Sequence, residues 1–169
     1  MNTQRGFTLV ELMMTLVVGS IILTLAVPSF RDMIQNNRIT TQANELVTAL
    51  NLARMEAIRR GTAVSVCASA NQATCSGTND WSTGWILFED TNTTGNPAVN
   101  ELIRAWGALS GNPTLTENGG GTFVRYQSNG TTGVASTFTH TIPDCRGNQQ
   151  RTISISSAGR VGTTVTACP

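Results

Sequence analysis

The chain contains no lysine: all eleven of its basic residues are arginine. It has one histidine, one tyrosine and only 12% charged residues. Each shortage removes a class of function. The run Gly119-Gly120-Gly121 lacks the lysine that a phosphate-binding loop needs to reach phosphates, so it reads as a flexible loop. The one histidine, His140, has no nucleophile motif around it and reads as a structural residue of a strand. No two cysteines stand in Cys-x-x-Cys spacing, which weakens zinc and thioredoxin-like readings. The segment Asp90-Thr91-Asn92-Thr93-Thr94-Gly95, with Glu101 twelfth from Asp90, has part of the spelling of a calcium loop. Thr94 stands at a ligand position, however, and no flanking helices are evident. Formal net charge is +1, so no bulk attraction to nucleic acid or membrane follows. We therefore expect no catalytic residue, no metal and no cofactor.

What is present is concentrated at the start. A short polar leader ends in Arg5-Gly6, and a largely apolar run then extends to Val27, interrupted by one acid, Glu11. Such a run, roughly 20 residues, is just long enough to span a bilayer. A carboxylate at the centre of a membrane helix costs about 2.5–3.5 kcal/mol on insertion scales, so Glu11 is a functional candidate by default. No small-x-small cleavage site follows the apolar core, as an ordinary secretory signal would require. Leu25-Ala26-Val27-Pro28-Ser29-Phe30 leads instead into a second helical pattern.

The stretch Gly6-Phe7-Thr8-Leu9-Val10-Glu11-Leu12-Met13 resembles the class III signal of type IV pilins and type II secretion pseudopilins. The resemblance implies a prepilin peptidase that cuts between Gly6 and Phe7 and methylates the new Phe7 amine. It matches Glu11 to the family's acid and Pro28 to its helix-kinking proline. It also implies an inner-membrane, single-pass precursor that later joins a periplasmic or cell-surface filament, with other pilin subunits as partners.

From Phe30 to Arg60 the pattern becomes amphipathic. Ala43, Leu46, Val47, Leu50, Ala53, Ala57 and Ile58 recur at three- and four-residue steps, the signature of one helix face. Glu56 and Arg60 stand at i,i+4, and Gly61 supplies a stop. A single helix from Phe7 to Arg60 would be about 80 Å long at 1.5 Å per residue. No domain of this size buries that length, so its second half must pack on the domain and its first half elsewhere. Residues 31–60 hold five arginines against three acids, and residues 61–169 hold five against six.

Beyond Gly61 the vocabulary is that of strands: threonine, valine and alternating apolar residues, with Gly and Asn at the breaks. Strands are expected at 63–67, 85–89, 102–106, 122–126 and 138–142. A terminal hairpin of residues 151–156 and 161–167 would turn at Ser157-Ala158-Gly159-Arg160. Trp81, Trp85 and Trp106 read as core or rim packing. The fold class is therefore α+β: a long N-terminal helix, apolar then amphipathic, packed on an antiparallel β-sheet domain. The expected divisions are a removable leader, 1–6, a membrane and filament-core helix, 7–30, an amphipathic helix, 31–60, and a β-rich globular domain, 61–169. The four cysteines allow three pairings and belong to an oxidising compartment. We expect the local one, Cys67 with Cys75 and Cys145 with Cys168. The second pairing would close a loop of roughly 24 residues, stabilising by about 3 kcal/mol in the chain-entropy model.

The second half carries its own resemblance. Asn44-Glu45-Leu46-x3-Leu50-x2-Ala53-Arg54-x-Glu56-Ala57-Ile58-Arg59-Arg60-Gly61, then Trp81-x2-Gly84-Trp85-Ile86-x-Phe88, then Ser156-x2-Gly159-Arg160, is similar to FimT/FimU and GspH-type minor pilins. The resemblance implies a low-abundance structural subunit that primes or joins pilus assembly at or near the tip. Two alternatives stay open: a minor pseudopilin of type II secretion, and a minor pilin that binds DNA for uptake in natural transformation. FimT-like proteins of the DNA-binding kind carry Gly-Arg-x-Arg, whereas this chain has Gly159-Arg160-Val161-Gly162 and lacks the second arginine. Arg146 and Arg151 would have to supplement Arg160, brought to one face by the bond between Cys145 and Cys168.

Overall fold

The structure, a computed structural model, describes residues 8–92 and 94–169, Leu25 by its backbone alone. The chain divides into two compact units, Met1–Asn36 and Asn37–Pro169. One helix, α1 (Leu9–Arg60), begins in the first unit and ends in the second. Pro28 lies inside α1 and does not end it.

In the second unit the buried apolar positions of α1 are Ile39, Ala43, Leu46, Ala49, Leu50, Ala53 and Ala57. Their three- and four-residue spacing makes a narrow stripe, and the alanines in it let the helix lie close to what it covers. Gly61 ends the helix in the left-handed conformation, φ +69°, its N–H donating to the Ala57 carbonyl at 3.0 Å.

Eight strands follow: β1 (Val64–Ala68), β2 (Trp85–Asp90), β3 (Val99–Trp106), β4 (Thr114–Glu117), β5 (Phe123–Tyr126), β6 (Ser136–Thr141), β7 (Gln150–Ile155) and β8 (Val161–Thr166). They form two antiparallel sheets, β3-β2-β1-β5 and β4-β6-β7-β8, so the long helix packs on an antiparallel β-sheet domain as expected. The extra strand is β4, a four-residue element that pairs with β6 and founds an edge of the second sheet. The stripe of α1 packs on Val64, Val66, Trp85 and Leu87 of the first sheet and on Leu115, Phe138, Ile153 and Ile155 of the second. Trp81 meets Phe138 edge-to-face at 4.9 Å, inside that core. Trp85 stacks on the half-buried Trp106 with ring centres 6.1 Å apart.

β1 and most of β2 are buried on both faces, which explains the unalternating run Trp85-Ile86-Leu87-Phe88. Their outer face carries Cys67, Ile86 and Phe88, covered by Cys75, Ala105 and Phe123. A disulfide joins Cys67 to Cys75 and pins the loop between β1 and β2 onto that face. A second disulfide joins Cys145 to Cys168 and ties the chain after β8 to the β6–β7 loop, with the Cys168 N–H donating to the Gly147 carbonyl.

The C-terminal end of α1 is tied to the first sheet by charge. Arg60 reaches Glu56 at 2.8 Å, Glu89 of β2 at 3.3 Å and Glu101 of β3 at 3.0 Å. The guanidiniums of Arg59 and Arg60 hold the Glu56 carboxyl down at about 2. Single surface pairs contribute little, but one arginine shared by three acids fixes where the helix ends over the sheet.

Candidate functional site

Chemistry-bearing residues occur in both units. In the first, the described side chains of α1 are apolar and exposed through most of residues 9–30, from Leu9 at 74% to Phe30 at 66%. An apolar surface of that extent marks a membrane or protein contact. The helix is long and apolar enough to cross a membrane. Three of its hydroxyls bond back to the helix: Thr15, Ser20 and Thr24 each donate to the carbonyl three residues back, at 2.7–2.8 Å. That local bond satisfies a polar group where water is absent.

Glu11 is the one charge on this surface and is exposed in the first turn. Thr8 caps the turn, its hydroxyl oxygen accepting the Glu11 N–H at 3.2 Å. The carboxylate thus stands where the partial positive charge of a helix N-terminus favours it. Gly6 and Phe7, the expected cleavage and methylation positions, lie outside the described residues, as does the rest of the 1–6 leader.

The three C-terminal arginines do not come together. Arg160 is exposed in the β7–β8 turn, with no ion pair, to Asp144 or any other acid, among the described residues. Arg146 is exposed in the β6–β7 loop, at the other end of β7. Gln150 pairs with Thr166 and Ile155 with Val161, so the length of β7, about 17 Å at roughly 3.4 Å per residue, separates the two loops. The bond from Cys145 to Cys168 therefore fastens Arg146 away from Arg160, not beside it. Arg151 is only 6% exposed. Its guanidinium donates to the Asn148 and Gln150 carbonyls and to the Thr40 hydroxyl. The expected three-arginine face is thus reduced to Arg160.

Gly159 also has a different task from opening the backbone to a phosphate. It is buried at φ +78°, and a Cβ there would collide with the Gly130 carbonyl. That carbonyl accepts from Arg54 Nε at 3.1 Å. Beside it, the Thr132 and Gly133 N–H groups donate to the Ser157 carbonyl. Gly159 is the point at which the β7–β8 turn seats on the β5–β6 loop and, through Arg54, on α1.

His140 is fully buried in β6, with Nδ1 3.0 Å from the Thr114 carbonyl and Arg151 opposite it in register. Burial pushes its pKa below 6.5, and the Arg151 charge adds to that direction. Asp90, first residue of the calcium-like spelling, is buried with its carboxylate fully engaged. It accepts from the Ser65 hydroxyl at 2.6 Å, Arg125 Nε at 2.8 Å, and the N–H groups of Asn92 and Ala98. The carboxylate therefore organises the β2–β3 loop from within. Thr93 of that loop lies outside the described residues.

Two cavities of about 560 and 550 Å³ open on the second unit. One lies between β5 and residues 132–136, and the other between α1 and the segment after β3. Sequence reasoning missed both. It also missed Glu117, a carboxylate at an inward position of the strand that went unread.

Comparison with known proteins places this geometry. A family model described as type II transport protein GspH matches residues 42–159. A model of the prokaryotic N-terminal methylation motif matches residues 1–27. Two curated proteins of Moraxella bovis, type IV major alpha-pilin and fimbrial protein Q, are each 37% identical over 59 residues. That match covers 33% of this chain and 37% and 38% of those proteins, so it spans well under half their length. Among solved structures, the Pseudomonas aeruginosa PAO1 type IV minor pilin FimU superposes with a TM-score of 0.61 in space group P21. The alignment covers 76% of this chain and 89% of that one. In space group P65 the score is 0.57 over 74% and 91%. At 23% identity in both, this likeness speaks for the fold.

Proposed function

The chain belongs to the GspH family of the type IV pilin and pseudopilin superfamily, and on that premise we propose that it is a minor type IV pilin that primes or joins pilus assembly at or near the tip. It is a structural subunit, not an enzyme. The observation that carries this reading is the surface of α1 in the first unit: apolar through most of its exposed length, with one carboxylate held in a capped first turn. The same surface suits two surroundings in succession. Lipid takes it first, in the inner membrane. A bundle of like helices takes it next, when a prepilin peptidase has cut after Gly6 and freed and methylated the Phe7 amine.

Glu11 gives the transfer its register. A carboxylate in hydrocarbon is costly alone and much less so beside a cation. The terminal amine of a neighbouring subunit is such a cation, and pairing with it fixes the axial stagger. The expected outcome is that Glu11→Ala is cleaved normally, read by intact mass, yet is missing from sheared filaments on immunoblots. Efficient incorporation of Glu11→Ala would refute the pairing.

The printed description of the family, type II transport, supports a second placement in the pseudopilus of type II secretion. Deleting the pilus assembly ATPase and the secretion ATPase separately decides between them, since surface display of this subunit follows only one. DNA capture, the remaining reading, rests on the exposed Arg160 alone.

A further inference from the structure

The larger cavity has no part in filament assembly as described. It lies between β5 and residues 132–136, with Gln127, Val134 and Ser136 in its wall. Glu117, at the end of β4, also lines it and is only 4% exposed. Oε2 of Glu117 accepts the Gly121 N–H at 2.6 Å. The glycine run wraps the carboxylate closely: a Cβ on Gly119 or Gly121 would stand 3.3 or 3.1 Å from its oxygens. Oε1 has no partner among the described residues. Arg125 also lines the cavity, but its charge is answered by Asp90 at 2.8 Å, so Glu117 leaves the cavity with a net negative charge. The second oxygen of Glu117 is free to accept a charged donor that enters the cavity, the strong kind of hydrogen bond.

The wall formed by β5 is a sheet edge. The Asp90 N–H donates to the Ala63 carbonyl, which sets the alternation along β1. Val64 and Val66 must then bond toward β5, engaging Tyr126 and Val124, their partners in register. Phe123 and Arg125 consequently turn their N–H and C=O groups to the open side. An unpaired strand edge, a cavity beside it and a carboxylate with one oxygen free to accept are three parts of one recognition site.

We propose that this cavity receives an extended segment of another exported protein, added as a strand to the open edge of β5, with an arginine or lysine side chain reaching Glu117. Main-chain hydrogen bonds along β5 supply affinity, and the carboxylate selects the basic residue. The proposal does not depend on which filament the subunit joins.

The test uses the full chain in detergent micelles and fluorescence anisotropy with three labelled peptides. These are acetyl-Thr-Val-Arg-Val-Thr, the same peptide with Gln at its centre, and the Arg peptide with alternate amides N-methylated. The Arg peptide should bind tighter than either of the others by about tenfold or more. Glu117→Gln should bring the Arg and Gln peptides to equal affinity. Val134→Arg, at an exposed position of the wall, should weaken the Arg peptide about tenfold or more, and it carries the test should Glu117→Gln fail to fold. The proposal is overturned by absence of binding to any peptide, by equal affinity for Arg and Gln in the unaltered chain, or by a preference that survives Glu117→Gln. It is equally overturned by undiminished binding of the N-methylated peptide, or by complete competition from guanidinium ion alone, which would mark a small-cation site.

Discussion

The two halves of α1 put the same backbone to opposite uses. Through residues 9–30, Leu, Ile, Val and Met crowd the helix surface and are exposed. In the second unit, large and small apolar residues share one stripe, Ile39, Ala43, Leu46, Ala49, Leu50, Ala53 and Ala57, and are buried. Apolar content alone therefore does not say whether a helix is core. The arrangement does: a surface greasy on all sides awaits other molecules, whereas a stripe with small residues set into it has a partner within its own chain.

The comparison is broken most severely by making one substitution in each half. Leu50→Ala should cost about 2–5 kcal/mol of unfolding free energy, because it opens a cavity against the sheets. Leu16→Ala should leave denaturant unfolding of the second unit unchanged, within about 0.5 kcal/mol. Equal losses would erase the distinction between the halves.

A smaller effect is expected where the two-sheet unit closes on itself. Gly159→Ala drives a methyl into the Gly130 carbonyl in a left-handed backbone and should cost about 1–3 kcal/mol. Gly162→Ala meets only an ordinary contact, with Ser154 Oγ at 3.5 Å, and should be near neutral in the same thermal melts.

Smaller again is the response to acid. Folding depresses the pKa of His140, so below 6.5 the unfolded chain binds the proton first and stability falls as pH drops through the folded value. Glu56, held at about 2, contributes stability above 4.5 that is lost as pH falls toward 2. His140→Asn should flatten the first window in urea titrations from pH 7 to pH 5 and leave the second, between pH 4.5 and pH 2, in place.

The smallest effect concerns DNA. With Arg160 standing alone, duplex binding should show a log–log salt slope near −0.9, against about −2.7 for three neutralised phosphates. Arg160→Gln should abolish even that in anisotropy titrations, whereas Arg146→Gln should not change it. A slope near −2.7 would mean that other arginines act beside Arg160.

Much of this was legible because the residues follow simple periods. The stripe of α1 could be read from its three- and four-residue steps, and Gly61 marked its end. β4 could not be read. It is four residues long, follows Pro113, has one apolar side chain, Leu115, and places a carboxylate, Glu117, at its other inward position. Missing β4 hid the cavity beside it. Arg151 was readable and was misread: it alternates with Ile153 and Ile155, and that period-two pattern points all three inward. The buried role of Asp90 stayed hidden for a related reason, although its calcium-like spelling was set aside. Loop composition does not show that a carboxylate faces the protein, here toward Ser65 and Arg125.

The seat of α1 on the sheets has a mechanical consequence. Should a filament pull on this subunit through α1, the load on the second unit is taken by the part of the helix that the unit holds. The seven stripe residues from Ile39 to Ala57 lie along one face over about five turns, so an axial pull strains them together, in shear, rather than peeling them one by one. Sliding forward demands that Leu46 and Leu50 leave their sockets at the same moment. Arg60, in the last turn and clamped to Glu89 and Glu101, resists the same displacement from the far end. Shear resistance scales with the number of contacts that must yield at once, so a run of modest side chains can anchor the domain against a pull that would unzip a hairpin.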